Sequence, residues 1–538
     1  MVKYTPMRPL ATDTHDFPAI RRDGKIYVDK TMFMHRLVSD LNSRLFFVSR
    51  PRRFGKSLMV SALKALFSGR RELFDGLAID KEDWKWEKYP IIHFEFNDLV
   101  VTSMAEFMQD LANHVEERLQ DAGYVYDRSK PPHWNFGKAI ETLAVQQDEE
   151  GIDVRRGVVI LIDEYDAPVG HCLEDIDRAE AIRDRLSTLY SQMKNRTGNI
   201  RFLFMTGVSK FTKLSVFSAL NNIVDISQDE AYASMFGYTE EELSSNFEEH
   251  LREHAVKMGR TYEGYRAEMK RWYNGYRFSK TDPTTVYNPI SVAYTLMRKE
   301  PNFAATWATT GRPSMLMNYL RREEVLRVNP EEMKGVVAAE FEVAELRHLR
   351  PVAMLFQAGY LTIRDYLPVA ELYTLGVPDE EVRRDLCALM TGVAARTDMQ
   401  WASSLGGKLL AGRWDDFFDG LKALYAGMAY GSTEGRVHEN SYGRCLSFLL
   451  ASQGFEFTME NVQASGRADV VARHPIEVCI FELKVDEPVD RAFAQIREKG
   501  YAEPFLADSR PVWLIGLSFD SKTRHLVDFA AERMAWKS

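Results

Sequence analysis

The stretch Leu45–Gly69, "LFFVSRPRRFGKSLMVSALKALFSG", decides how the first half of this 538-residue chain is read. "LFFVS" is short, apolar and aromatic, as a strand buried on both faces should be. After Ser57, apolar residues recur at Leu58/Met59, Ala62/Leu63 and Leu66/Phe67, which is one helix face, and Gly69 stops it. Between strand and helix, Gly55-Lys56-Ser57 closes a G-x-x-x-x-G-K-[ST] pattern in the context that a phosphate-binding loop requires. The first glycine of the pattern is missing. Arg50 stands there, followed by Pro51, and neither takes the positive φ or offers the free N–H that a glycine would. The remaining backbone donors run through Arg53, Phe54, Gly55, Lys56 and Ser57, and Arg50, Arg52 and Arg53 could add charge in place of lost amides. Lys56 would reach the β- and γ-phosphates, and Ser57 would ligate Mg²⁺. Alone, a G-K-S at a helix start is more often a coincidence.

It does not stand alone. "RRGVVILIDEYDAP" holds an unbroken apolar strand, Val158 to Ile162, ending in Asp163-Glu164. An acidic pair at the carboxyl edge of a parallel sheet suits Asp163 to Mg²⁺ and Glu164 to orienting and activating the attacking water. "PIIHFEFND" supplies a strand between the two motifs, followed by a helix whose apolar stripe is Phe107, Leu111, Val115 and Leu119. "IRFLFMTGVSKF" ends a further strand at Thr206, the place for a polar γ-phosphate sensor, and "NNIVDIS" offers a fifth strand. The pattern predicts a doubly wound α/β sheet with nucleotide at its carboxyl edge.

"YVDKT", "RPRRFGKS", "LIDEYDAP", "TGVSKF" and "LNNIVDIS", in this order, resemble the prokaryotic AAA-ATPase-like family. That resemblance implies a P-loop ATPase domain over residues 1–230 that binds ATP with Mg²⁺, and it makes the absent first glycine a family trait. Residues 231–345 read mainly as helices, a natural lid, with "WYNGYRF" and "VYNPISVAYTL" as punctuated turns; Arg277 and Arg312 are candidates for a second phosphate contact, though either alone is more often a solvated surface arginine. Within 346–430, "LRPVAMLFQAGYLTIRDYLPVAELYTLGVPDEEVR" reads as helix, strand, turn, strand, which suits a winged-helix module and a packing hairpin equally.

The segment 431–538 carries a second chemistry. A helix beginning near Glu439 precedes two strands, "RADVVAR" and "IEVCIFELKV", joined at His474-Pro475. Alternation puts Glu482 and Lys484 on one face of the second strand, and Asp469 on its neighbour can face them. Two carboxylates suit a hard divalent cation that activates a phosphodiester, and Lys484 would position the nucleophile and offset developing charge. Glu439 could complete the metal shell. The alternating charges of E-x-K are ordinary on a half-exposed strand, but "FELK" is otherwise apolar, and buried charges need partners or metal. The layout resembles the PD-(D/E)xK nuclease superfamily, an α/β restriction-endonuclease-like fold, and more narrowly the nuclease domain fused to this ATPase family. The resemblance extends to Gln495, Lys499 and Tyr501 in "AFAQIREKGY"; Ala468 stands where the superfamily has proline.

Composition bounds these readings. The net charge of −9, with thirteen Lys/Arg against sixteen Asp/Glu from Gly431 to Ser538, excludes a globally basic nucleic-acid binder. Four scattered cysteines without a C-x-x-C pair argue against a zinc or disulfide frame and for a reducing cytoplasm. No apolar run has the length of a membrane span, and the N-terminus shows no secretory pattern. The expectation is a cytoplasmic ATPase coupled to a metal-dependent nuclease, with DNA favoured over RNA, a homo-oligomer as one way to supply basic surface, and defence against phage or mobile elements as a role suggested by architecture. The alternative is a nucleotide-dependent switch or scaffold that hydrolyses ATP and binds a partner without cutting.

Overall fold

The computed structural model describes residues 7–147, 151–210, 222–305, 329, 331–342, 346–429, 439–463, 466–523 and 525–534. The chain divides into two compact units. One comprises Met1–Thr306 with Glu332–Asp379, the other Trp307–Glu331 with Glu380–Ser538.

Five strands build the main sheet of the first unit: β1 (Leu45–Ser49), β2 (Ile91–Glu95), β3 (Val158–Asp163), β4 (Ile200–Gly207) and β5 (Val224–Asp225). They pair in parallel in the order β2-β3-β4-β1-β5. Every residue of β3 is buried, which is why its sequence is an apolar run without alternation. β4 lies between β1 and β3, so the loops after all three strands meet at the carboxyl edge. α1 (Lys56–Phe67) buries Met59, Leu63, Leu66 and Phe67. Gly69 ends it at φ +68, where a Cβ would lie 2.7 Å from the Trp86 carbonyl oxygen. α2 (Met104–Asp121) buries the expected stripe of Phe107, Leu111, Val115 and Leu119.

The middle is helical with interruptions: α3 (Glu240–Lys257), α4 (Tyr262–Tyr273), a ribbon of β6 (Asn274–Arg277) and β7 (Thr285–Tyr287), and α5 (Pro289–Met297). "WYNGYRF" and the start of "VYNPISVAYTL" are therefore antiparallel partners rather than turns, with Tyr276, Val286 and Tyr287 buried. The expected helix–strand–turn–strand follows as α6 (Pro351–Gln357), β9 (Thr362–Leu367) and β10 (Leu372–Gly376), after an unanticipated β8 (Met333–Val337) that pairs with β10. The segment 346–430 is divided between the units, with Asp379 in the first and Glu380 in the second. Arg312, within "ATTGRPS", lies outside the described residues.

From Glu380 the second unit runs through α7 (Glu380–Ala395), α8 (Met399–Leu410) and α9 (Trp414–Ala429), followed by α10 (Glu439–Ser452). Its sheet holds β11 (Glu456–Gln463), β12 (Gly466–His474), β13 (Glu477–Val485), β14 (Val512–Phe519) and β15 (Leu526–Arg533) in that order. Only β13 and β14 run parallel, and α11 (Val489–Glu498) makes the crossover between them. Leu405, Phe417, Leu421 and Tyr425 share one core with Leu446, Phe481 and Leu517, so α8 and α9 belong to the sheet's own core. On the other face, Val471, Ile480 and Leu514 pack with Phe493 and Ile496 of α11. Among the described residues no helix is long and apolar enough to cross a membrane.

Candidate active sites

At the carboxyl edge of the parallel sheet, the phosphate-loop candidate turns late. Arg53 takes φ 70 and Gly55 φ 94, whereas the Arg50 N–H donates to the Gly207 carbonyl at 3.1 Å as an extension of β1. The backbone thus has no need of a glycine at position 50. The Arg50 side chain is buried and donates to the carbonyls of Ser49 at 2.9 Å, Ser227 at 2.7 Å and Tyr232 at 3.4 Å. Its guanidinium lies 4.2 Å from the Phe278 ring centroid. Burial holds its pKa down to about 9, with Asp225 opposing. This corrects the expectation for Arg50: its charge is spent on carbonyls inside the unit.

Lys56 is buried at the start of α1, and its Nζ donates to the carbonyls of Arg50 and Pro51, each at 3.0 Å. Burial lowers its pKa, while Glu164, Asp163 and Asp166 oppose the shift. Ser57 is half-buried beside it. The first helical bond links the Met59 N–H to the Gly55 carbonyl at 3.0 Å, so the amides of Lys56, Ser57 and Leu58 precede the helix's own ladder. Amides in that position, with a lysine among them, fit a phosphate. Phe54 is buried with its ring 4.7 Å from that of Tyr276.

Asp163 is 2% exposed, and its Oδ1 accepts the Thr206 hydroxyl and, at 3.1 Å, the Glu164 N–H. Thr206 is fully buried and in this state presents its hydroxyl to Asp163. Glu164 takes φ 50; burial raises its pKa and Lys56 opposes. The sequence reading missed Asp166. Its carboxylate accepts the Val208 N–H at 3.2 Å, the Ser209 N–H at 2.6 Å and the Ser209 hydroxyl. The Tyr165 hydroxyl adds a bond to the Ser209 carbonyl at 3.0 Å. A Cβ on Gly207 would lie 2.5 Å from both Asp166 Oδ1 and the Tyr165 ring, so the glycine of "TGVS" beside "DEYD" was the available signal. Arg277 is corrected as well. It donates to the carbonyls of Ser279, Lys280, Asp282 and Arg364 at 2.7–3.3 Å, which closes a loop instead of reaching toward nucleotide.

The second site lies in the antiparallel part of the other sheet. Pairing of β12 with β13 runs from His474↔Glu477 to Val470↔Phe481, and Asp469 and Glu482 follow at the next step. Asp469 Oδ2 accepts the Leu483 N–H at 2.7 Å, and Glu482 Oε1 accepts Lys484 Nζ at 2.8 Å. Glu482 is 1% exposed, and its Oε2 has no hydrogen-bond partner among the described residues. Burial and then Asp469 push its pKa up to about 7, against Lys484. A buried carboxylate oxygen without a donor, beside a second carboxylate, fits a divalent cation. Glu439 begins α10, but its side chain lies outside the described residues, and among those described no three His, Cys, Asp or Glu side chains form a metal-holding group. Gln495 on α11 donates to the Tyr501 hydroxyl at 3.3 Å and makes no described hydrogen bond to either carboxylate.

Comparison with known proteins matches both regions. Residues 11–217 match the family described as "Predicted AAA-ATPase", and residues 437–529 match the PD-(D/E)XK nuclease superfamily. A protein of Azotobacter chroococcum mcd 1, described as "Uncharacterized protein in vnfD 5'region", is 32% identical over 540 residues, covering 96% of this chain and 98% of that protein. No solved structure matches. With the Lys56–Asp163 sheet inside one match and the Asp469–Glu482 sheet inside the other, the chain belongs to the AAA-ATPase-like family and carries a C-terminal domain of the PD-(D/E)XK nuclease superfamily.

Proposed function

We propose that this protein hydrolyses ATP and uses a second, metal-dependent site to cleave nucleic acid, DNA in preference to RNA. The observation that carries the nuclease half is the buried Glu482 carboxylate, half of which has no donor among the described residues while Asp469 and Lys484 stand beside it. Asp469 and Glu482, with Glu439 from α10, would hold a divalent cation there. When bound, the cation supplies Lewis acidity, polarising the phosphodiester and acidifying the attacking water. Lys484, anchored on Glu482 Oε1, keeps a positive charge where the phosphoryl oxygens become more negative. Asp469, fixed by the Leu483 N–H, keeps its carboxylate between the two strands.

At the other site, Lys56, Arg53, Phe54, Gly55 and Ser57 would cradle the phosphates of ATP, with Ser57 and Asp163 serving Mg²⁺ and Glu164 orienting water. Thr206 holds Asp163 in place through its hydroxyl and becomes a phosphate sensor only by leaving that bond. The joining of an AAA-ATPase-like region to a nuclease-superfamily domain is what suggests a role in defence against phage or mobile elements. The deciding experiment incubates the full chain with single-stranded DNA, duplex DNA and RNA, with and without Mg²⁺ and ATP. Metal-dependent cleavage that disappears in a folded Glu482→Ala variant supports the reading; equal cleavage by both proteins, or none under any condition, sinks it.

A further inference from the structure

The phosphate loop and the end of the first unit lean on the same short ribbon. On one side, the Phe54 ring meets Tyr276 edge-on at 4.7 Å and Phe278 at 5.3 Å, and the Arg50 guanidinium covers Phe278 at 4.2 Å. On the other, Gly275 takes φ +148 and backs onto Pro378. A Cβ there would lie 1.9 Å from the Pro378 carbonyl oxygen and 2.7 Å from its carbonyl carbon. Pro378 is one residue short of Asp379, the last residue of the first unit, after which the chain returns to the second unit at Glu380. The ribbon is also tied to the strands leading there. The Tyr276 hydroxyl donates to the Gly359 carbonyl at 3.0 Å, the Arg277 N–H to the Thr362 hydroxyl at 2.9 Å, and that hydroxyl to the Arg277 carbonyl at 3.1 Å.

These contacts have little slack. They consist of rings in contact, backbone against backbone and short hydrogen bonds, and close-packed groups of this kind shift together. The loop also has a reason to shift. Lys56 Nζ is engaged with the carbonyls of Arg50 and Pro51, and a lysine that moves onto a phosphate gives up both bonds on the residues flanking the ribbon contact. Binding changes a distant segment only through a difference in interaction between two arrangements, and this exchange of partners is such a difference.

We propose that the ribbon Asn274–Phe278 positions the phosphate loop in the absence of its first glycine and passes nucleotide occupancy to Leu372–Asp379, the segment from which the second unit continues. The inference rests on the reading of the first site as an ATP site.

Hydrogen–deuterium exchange on the full chain, with and without AMP-PNP and Mg²⁺, tests it. In wild type, the analogue is expected to slow exchange at Arg53–Ser57 and to change it at 372–379 by about fivefold or more, the lower end of ordinary coupling. Gly275→Ala should keep the first response at saturating analogue and lose the second. Should that variant not fold, Tyr276→Leu serves in its place: it is expected to weaken AMP-PNP binding and lose the response at 372–379, while Tyr276→Phe keeps the ring and the response. Protection at Arg53–Ser57 with no change at 372–379 in wild type overturns the relay alone. So does an undiminished response in Tyr276→Leu. No protection at Arg53–Ser57 in wild type overturns the ATP-site reading and the relay with it.

Discussion

Restoring the missing glycine should damage this protein. By motif alone, Arg50→Gly completes G-x-x-x-x-G-K-[ST] and ought to improve phosphate binding. The structure argues the reverse, because the turns fall at Arg53 and Gly55 while Arg50 continues β1 through its bond to Gly207. What the substitution removes is a buried guanidinium with bonds at 2.7 and 2.9 Å and a stacking contact on Phe278. Charge-assisted bonds of this kind contribute about 1.5–3 kcal/mol each, but releasing a buried charge returns several kcal/mol of desolvation, so these two effects largely cancel. What remains is the carbonyls of Ser49 and Ser227 losing that donor, at about 1–3 kcal/mol apiece, and the added chain freedom of glycine, at about 0.5–1 kcal/mol. The expected net loss is about 4 kcal/mol. Arg50→Met, which avoids the glycine but still removes the donor, should lose about 3 kcal/mol. Urea denaturation followed by near-ultraviolet circular dichroism and by calorimetry reads the transition of the first unit, and titration calorimetry with AMP-PNP reads the site. Binding should weaken by about tenfold or more as the loop loses its anchor, since each 1.4 kcal/mol is a factor of ten. Stability within about 0.5 kcal/mol of wild type, the range of an ordinary surface change, or tighter AMP-PNP binding by Arg50→Gly, would refute the reasoning.

Three further outcomes are expected. Lys56→Ala should abolish ATP hydrolysis in a folded protein, and Glu164→Gln should retain ATP but turn it over very slowly, whereas Asp163→Ala should also lose metal-dependent affinity; equal, mild defects in steady-state turnover and nucleotide titration would count against the assigned roles. A fragment starting at Glu380 should be soluble and show a cooperative melt, while one starting at residue 431 should aggregate, because Leu405, Phe417, Leu421 and Tyr425 fill the same core as Phe481 and Leu517; a well-folded shorter fragment would contradict this. Burial lowers the pKa of His93 to about 4, below its unfolded value, so its share of stability is complete above pH 6.5 and is lost as pH falls toward 4. Melting temperatures from pH 7.5 to 5 should therefore fall less steeply in His93→Gln than in wild type, with a difference of about 2 kcal/mol between the ends.

The parallel sheet was legible because its three central strands are buried on both faces. "LFFV", "VVILI" and "FLFM" are unbroken apolar runs within their strands, and runs of this length suit strands buried on both faces. The pairing of Glu482 with Lys484 was legible for the opposite reason, since period-2 alternation puts residues two apart on one side of a strand. The ribbon at "WYNGYRF" was misread because its glycine looks like a turn signal; the need for glycine comes from Pro378, a hundred residues away, whose backbone leaves no room for a Cβ. Asp166 was overlooked because a third acid after "DE" has no local pattern, and its three donors arrive from the end of β4. Local spacing thus determined the main strands and helices and the candidate residues at their ends. Only the tertiary structure decided that Arg50 is an internal anchor, that Arg277 closes a loop, and that the helices after Glu380 complete the nuclease core. Those outcomes depend on burial and on donors and acceptors brought together from distant parts of the chain, which spacing along one strand or helix does not encode.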